Sequence, residues 1–200
     1  MEIYIIISVV FFIGVLVFVA IRFSKIDKRK NEQMLSTVAQ DLGATLQLGN
    51  WKTQPVILGE MRETPFVITF RVVQSGNAQV TYLELRTPFS SPDIQVSVKK
   101  HGGGAKLLEK VGLSRHVETG DSAFDSEVLV KGKPEGKVQA LAYDYGFKNV
   151  ALHLTKRGYS IEVKPPSAVA TKAYNRKKDL VSQVLREDIE ALLGLVRLCR

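Results

Sequence analysis

Two hundred residues with a formal net charge of +8 and a single cysteine, Cys199, exclude several classes at once. One thiol closes no intramolecular disulfide and builds no paired-cysteine metal site, which suits a reducing compartment. The 28 basic and 20 acidic side chains lack the concentrated stripe of a nucleic-acid binder, so no nucleic-acid partner is expected.

The first predicted element is a transmembrane helix over residues 3–21. Ile3 to Ile21 is a run of 19 uncharged residues, 15 of them Ile, Leu, Val or Phe. As a helix it is about 28 Å long, close to the ~30 Å hydrocarbon core of a bilayer. A cleaved signal peptide fits poorly, because only Glu2 precedes the apolar run and no small-x-small site follows it.

Residues 22–30 form a basic juxtamembrane segment. Arg22, Lys25, Lys28, Arg29 and Lys30 stand there against one acid, Asp27, and supply half of the net charge. Positive flanks stay inside, which predicts a single-pass protein of the cell (inner) membrane with its amino terminus outside and residues 31–200 in the cytoplasm. The same five side chains are the candidate contacts to anionic headgroups, so membrane lipid is the expected partner of residues 3–30. A topology signal without lipid selectivity is the alternative.

Residues 31–200 read as one cytoplasmic α+β domain, an antiparallel sheet packed by helices. Leu35, Val38, Ala39 and Leu42 recur at helical spacing and Gly43 follows as a cap. Strands are predicted at Val56–Glu60, around Phe66–Val73, at Val80–Arg86 after a Ser75-Gly76-Asn77 turn, and around Ile94–Lys99. The short links imply that these are antiparallel neighbours. A short helix is expected at Ala105–Val111 and a strand at Ser126–Lys131. Pro134 suits the first turn of a helix towards Tyr143. Phe147, Val150, Ala151 and Leu154 mark another helix, closed by Gly158. Tyr159, Ile161 and Val163 alternate as a strand that Pro165-Pro166 stops. Val181, Val184, Leu185, Ile189, Leu192, Leu193 and Val196 mark a long amphipathic helix.

The most distinctive string is Thr119-Gly120-Asp121-Ser122-Ala123-Phe124-Asp125. Two carboxylates four apart are weak candidates for a divalent metal or an acid/base pair, and Asp121 and Asp125 are the residues concerned. The structural reading is that Gly120 supplies an unusual backbone angle, Asp121 caps the next turn, Phe124 enters the core and Asp125 ties the turn to the following strand. A Gly-Asp-x-x-Phe-Asp segment followed by a strand, helices and a last amphipathic helix resembles a set of uncharacterised bacterial single-pass membrane proteins. The resemblance covers about residues 35–198 and implies no activity.

Other motifs are incomplete. His101-Gly102-Gly103-Gly104 resembles the oxyanion loop of some lipases, but Gly112-Leu113-Ser114-Arg115-His116 lacks the second glycine of a nucleophile elbow. Lys99, Lys100 and Lys106 around those glycines suggest an anion-binding loop, without the Ser or Thr of a Walker motif. His101, His116 and His153 have no zinc spacing, and no cofactor is expected. Trp51, Tyr143 and Tyr145 read as core or rim aromatics rather than stacking platforms. The expected function is a membrane-anchored, non-catalytic interaction module that binds another protein or itself. The alternative is a membrane-anchored hydrolase or metal-dependent enzyme using Asp121 and Asp125.

Overall fold

The computed structural model describes residues 29–50, 53–76, 78–101 and 117–200. The predicted span at 3–21, the basic residues Arg22, Lys25 and Lys28, Trp51, the glycine loop with Lys106, the helix expected at Ala105–Val111 and the Gly112–His116 string lie outside them. Among the described residues no helix is long and apolar enough to cross a membrane.

The described chain opens on a helix over residues 29–41, here α1. Arg29 and Lys30, assigned above to the flanking basic segment, are already helical and exposed. Leu35, Val38, Ala39 and Leu42 are buried as their spacing requires, and Gly43 ends the turn at φ +66°. Five strands follow: β1 Thr45–Gln47, β2 Val56–Met61, β3 Thr64–Ser75, β4 Ala78–Pro88 and β5 Gln95–Lys100. A six-residue helix α2, Ser122–Glu127, runs directly into β6, Val128–Lys133. The strand expected from Ser126 therefore begins two residues later, because the Asp121 cap winds Ser126 and Glu127 into the helix. Helices α3, Glu135–Tyr143, and α4, Tyr145–Lys156, precede the hairpin of β7, Ser160–Lys164, and β8, Ser167–Ala173. The short α5, Arg176–Asp179, and the long α6, Ser182–Leu198, complete the domain.

The strands form one sheet of order β1-β2-β3-β4-β8-β7-β5-β6, antiparallel throughout. The α+β reading holds, and so does the pairing of β2 with β3. The neighbour expectation fails at one place: β4 and β5 are not adjacent, because the β7–β8 hairpin from late in the chain inserts between them.

Strand periodicity then decides which face is covered. Ile57, Ile68, Leu83, Leu85, Val98, Val130, Ile161 and Ala170 point to one face and are buried under α1, α3, α4 and α6. Their alternates, such as Arg71, Glu84, Arg86, Val169, Glu162, Lys99 and Lys131, point to the other face, where no described helix packs. Among the described residues the domain is two layers, helices on one face of the sheet, with the other face bare of described helices.

Candidate functional site

The Gly120–Asp125 segment is built as a helix start. Gly120 adopts φ +71°, a left-handed angle that glycine takes without steric cost. Asp121 caps α2 by accepting from the Phe124 amide at 3.1 Å, and Phe124 is buried. The same device recurs at Asp144-Tyr145-Gly146-Phe147, where Asp144 accepts from the Phe147 amide at 2.8 Å and Phe147 is buried. Lys148 joins the two capped starts, its ammonium 3.6 Å from Asp121 Oδ2 and over the Phe124 ring. The Phe124 amide, and after it the Lys148 charge, hold the Asp121 carboxyl below its ordinary value.

Asp125 departs from expectation. Its carboxylate reaches back rather than forward, accepting from the Thr119 amide at 3.1 Å and the Thr119 hydroxyl at 2.8 Å. It therefore closes its own loop and leaves β6 to the backbone ladder. The His101 ring stands close, but Nδ1 donates to the Asp125 main-chain carbonyl at 2.9 Å, not to the carboxylate. Among the described residues no three His, Cys, Asp or Glu side chains converge as metal ligands would. The oxygens of Asp121 and Asp125 serve the turn.

A second cluster was not anticipated. Asp188 of α6 is wholly buried and surrounded by donors. The Tyr159 hydroxyl donates to Oδ2 at 3.0 Å, Lys172 Nζ lies 3.5 Å from the same oxygen, and Arg157 Nη1 lies 3.3 Å from Oδ1. Lys172, also buried, pairs with Asp179 at 2.8 Å and sits over the Tyr159 ring. Arg157 reaches Glu187, and His153 Nε2 faces Asp188 Oδ1 at 3.6 Å, beyond hydrogen-bond length. Burial, and then the Asp188 charge, push the Tyr159 phenol far above its ordinary range. Every charge here has an opposite neighbour, so the cluster cross-braces α4, β8, α5 and α6. One signal in the sequence marks it: Asp188 falls on the apolar stripe between Leu185 and Leu192, and Lys172 falls on the buried parity of Ala168 and Ala170.

The open cavities lie elsewhere, on the bare face of the sheet. One of about 490 Å³ is lined by Arg71, Glu84, Arg86, Lys99 and side chains of the β7–β8 hairpin. Another of about 720 Å³ is lined by Ser97, Lys131, Lys133, Glu135 and the outer end of β7. Lys99, singled out from sequence, is therefore a wall of the first cavity. Tyr143 and Tyr145 are exposed and belong to neither.

No protein-family model matches the chain, and no curated protein matches it either. Among solved structures the chain is similar to the crystal structure of the mycobacterial trehalose monomycolate transport factor A, with a TM-score of 0.57 over 86% of this chain and 96% of that one. The identity is 11%, so the likeness is one of fold.

Proposed function

We propose that this chain is a membrane-tethered, non-catalytic binding module that presents the bare face of its sheet to a partner at the cytoplasmic side of the membrane. The observation that carries the reading is the division of polar groups. The buried charges around Asp188 neutralise one another and the Gly120–Asp125 carboxylates hold a turn, whereas the side chains still open to a partner line two adjoining cavities on one face. The neighbour in fold, a trehalose monomycolate transport factor rather than an enzyme, supports a role for the module in lipid transport. The tether rests on the apolar run Ile3–Ile21 and the cations behind it.

The test uses the full chain in cells. A photo-crosslinking amino acid is placed at Val169 or Thr171 on the bare face, and at Lys177 on α5 as a control. Adducts with a membrane protein from the first two positions and not the third are expected. Recovery of the full-length chain in the aqueous fraction without detergent would remove the tether, and absence of adducts from the bare face would remove the module.

A further inference from the structure

The two cavities form one trough. They share Glu162 and Lys164 as lining residues, and together they run from β3 across β4, β8, β7 and β5 to β6. Five strand spacings make the trough about 24 Å long. The register lines up Arg86, Val169, Glu162, Ser97 and Lys131 in one row across it.

Its charge is one-sided. Six cations line it, Arg71, Arg86, Lys99, Lys131, Lys133 and Lys164, against the three acids Glu84, Glu135 and Glu162. Glu84 is held between two guanidiniums, 2.6 Å from Arg71 Nε and 3.4 Å from Arg86 Nη2, so one carboxylate is shared by two positive groups. Lys164 pairs with Glu162 at 3.2 Å, both well exposed, which makes the contact weak and exchangeable. Lys99, Lys131 and Lys133 make no ion pair with any described carboxylate. Such a surplus on a concave surface focuses a positive potential along its floor.

We infer that the trough takes an acidic segment of another polypeptide, an inference that rests on the binding-module reading above. The cations are strung along the trough instead of converging on one point, so an extended ligand with several charges satisfies them where a single phosphate would meet only one or two. The concavity suits an inserted segment better than a flat bilayer surface. Glu84, Glu135 and Glu162 lie among the cations, and a uniform polyanion such as RNA would meet each of them with repulsion; none of the described lining residues is an aromatic that could stack its bases. A polypeptide can set its own Lys or Arg against those acids and its carboxylates against the lysines.

The inference is tested with full-length protein in neutral phosphatidylcholine nanodiscs and a fluorescein-labelled peptide of about ten residues, glutamates interrupted by lysines but acidic overall, long enough to span the trough when extended. Fluorescence anisotropy at low salt should show saturable binding that weakens as salt is added. A Lys99→Glu/Lys131→Glu/Lys133→Glu variant should bind about tenfold more weakly or worse. A Lys156→Glu/Lys177→Glu/Lys178→Glu variant, with the same loss of charge, should bind as the natural chain does. Thermal unfolding of both variants checks that the fold is kept. Equal losses in the two variants would overturn the inference, since net charge and not the trough would then be responsible. It would also fall if millimolar inorganic phosphate displaced the peptide, if single-stranded RNA bound more tightly than the peptide, or if anionic lipid in the nanodisc expelled it. Crosslinking from Val169 or Thr171 that ignored all of these charges would keep the module and remove only the acidic occupant.

Discussion

The Tyr159 hydroxyl donates to Asp188 Oδ2 across 3.0 Å in a place that neither side chain shares with solvent. Burial, and then the Asp188 charge, raise the phenol's pKa and so favour the protonated, donating form. Removing the donor by Tyr159→Phe should cost about 1.5–3 kcal/mol, the range for a hydrogen bond to a charged group. Asp188→Ala should cost more, about 3–5 kcal/mol, because Lys172 and Arg157 lose a buried counter-charge. Urea unfolding reads both, and an Asp188→Ala midpoint close to that of the natural chain would sink the bracing role.

Asp121 gives a pH dependence with a definite sign. Its carboxyl is held low in the folded domain, so it binds a proton less readily there than in the unfolded chain. The stability it confers is complete above the unfolded value of 3.8 and is withdrawn as the pH falls through the lower, folded value. Asp121→Asn keeps a capping oxygen and removes the titration. Urea midpoints between about pH 5 and about pH 2 should fall less steeply for the variant. Parallel curves would show that Asp121 is not responsible.

The thiol of Cys199 is buried at the end of α6, and burial pushes its pKa up to about 12. A thiol-specific reagent at mildly alkaline pH should therefore label the folded chain only as fast as that last turn opens. Urea concentrations that unfold the domain should accelerate labelling by orders of magnitude. Prompt stoichiometric labelling without denaturant would contradict the packing.

Two strand glycines predict different penalties for the same change. A methyl group on Gly59 would meet the tip of the Phe66 ring at 2.4 Å, a side-chain end that can turn aside, and Ala44 Cβ at 2.8 Å, which moves only with its own backbone. Gly59→Ala should cost about 1–3 kcal/mol. On Gly132 the same methyl would stand 2.0 Å from the Gln95 carbonyl oxygen, part of the backbone of the partner strand. Gly132→Ala should be the worse of the two in thermal unfolding, and the reverse order would refute the register of β5 and β6.

One turn leaves room for improvement. The β2–β3 hairpin turns through Arg62 and Glu63 at φ +52° and +62°, where side chains cost about 1–2 kcal/mol each. Glu63→Gly should stabilise the domain by about 0.5–1 kcal/mol after the glycine's extra freedom in the unfolded chain is counted. A lower unfolding midpoint would mean that the Glu63 side chain has a role not visible in its contacts.

Alternation such as Phe66, Ile68 and Phe70 made most strands legible, and the Leu185–Val196 stripe did the same for α6. β8 escaped notice because its buried positions are Ala168, Ala170 and Lys172, two small side chains and a cation that hide the usual period of large apolar residues. Strand order escaped with it, since nothing local says that residues 167–173 enter beside residues 82–88. The capping role of Asp121 could be read directly, because it depends on neighbours three residues away. The trough could not, because its walls come from six strands and only pairing register brings Arg86 and Lys131 onto one row.

The late arrival of β8 also sets a schedule for synthesis. β4 emerges with its outer edge waiting for a strand that is translated about eighty residues later, on the order of ten seconds at ordinary ribosomal speed. Through that interval the stretch from Tyr82 to Pro88 that β8 will cover offers unpaired amides and carbonyls to any other nascent strand nearby. Premature termination before Ser167 would leave that edge permanently open, so truncated products should aggregate rather than persist as smaller soluble domains.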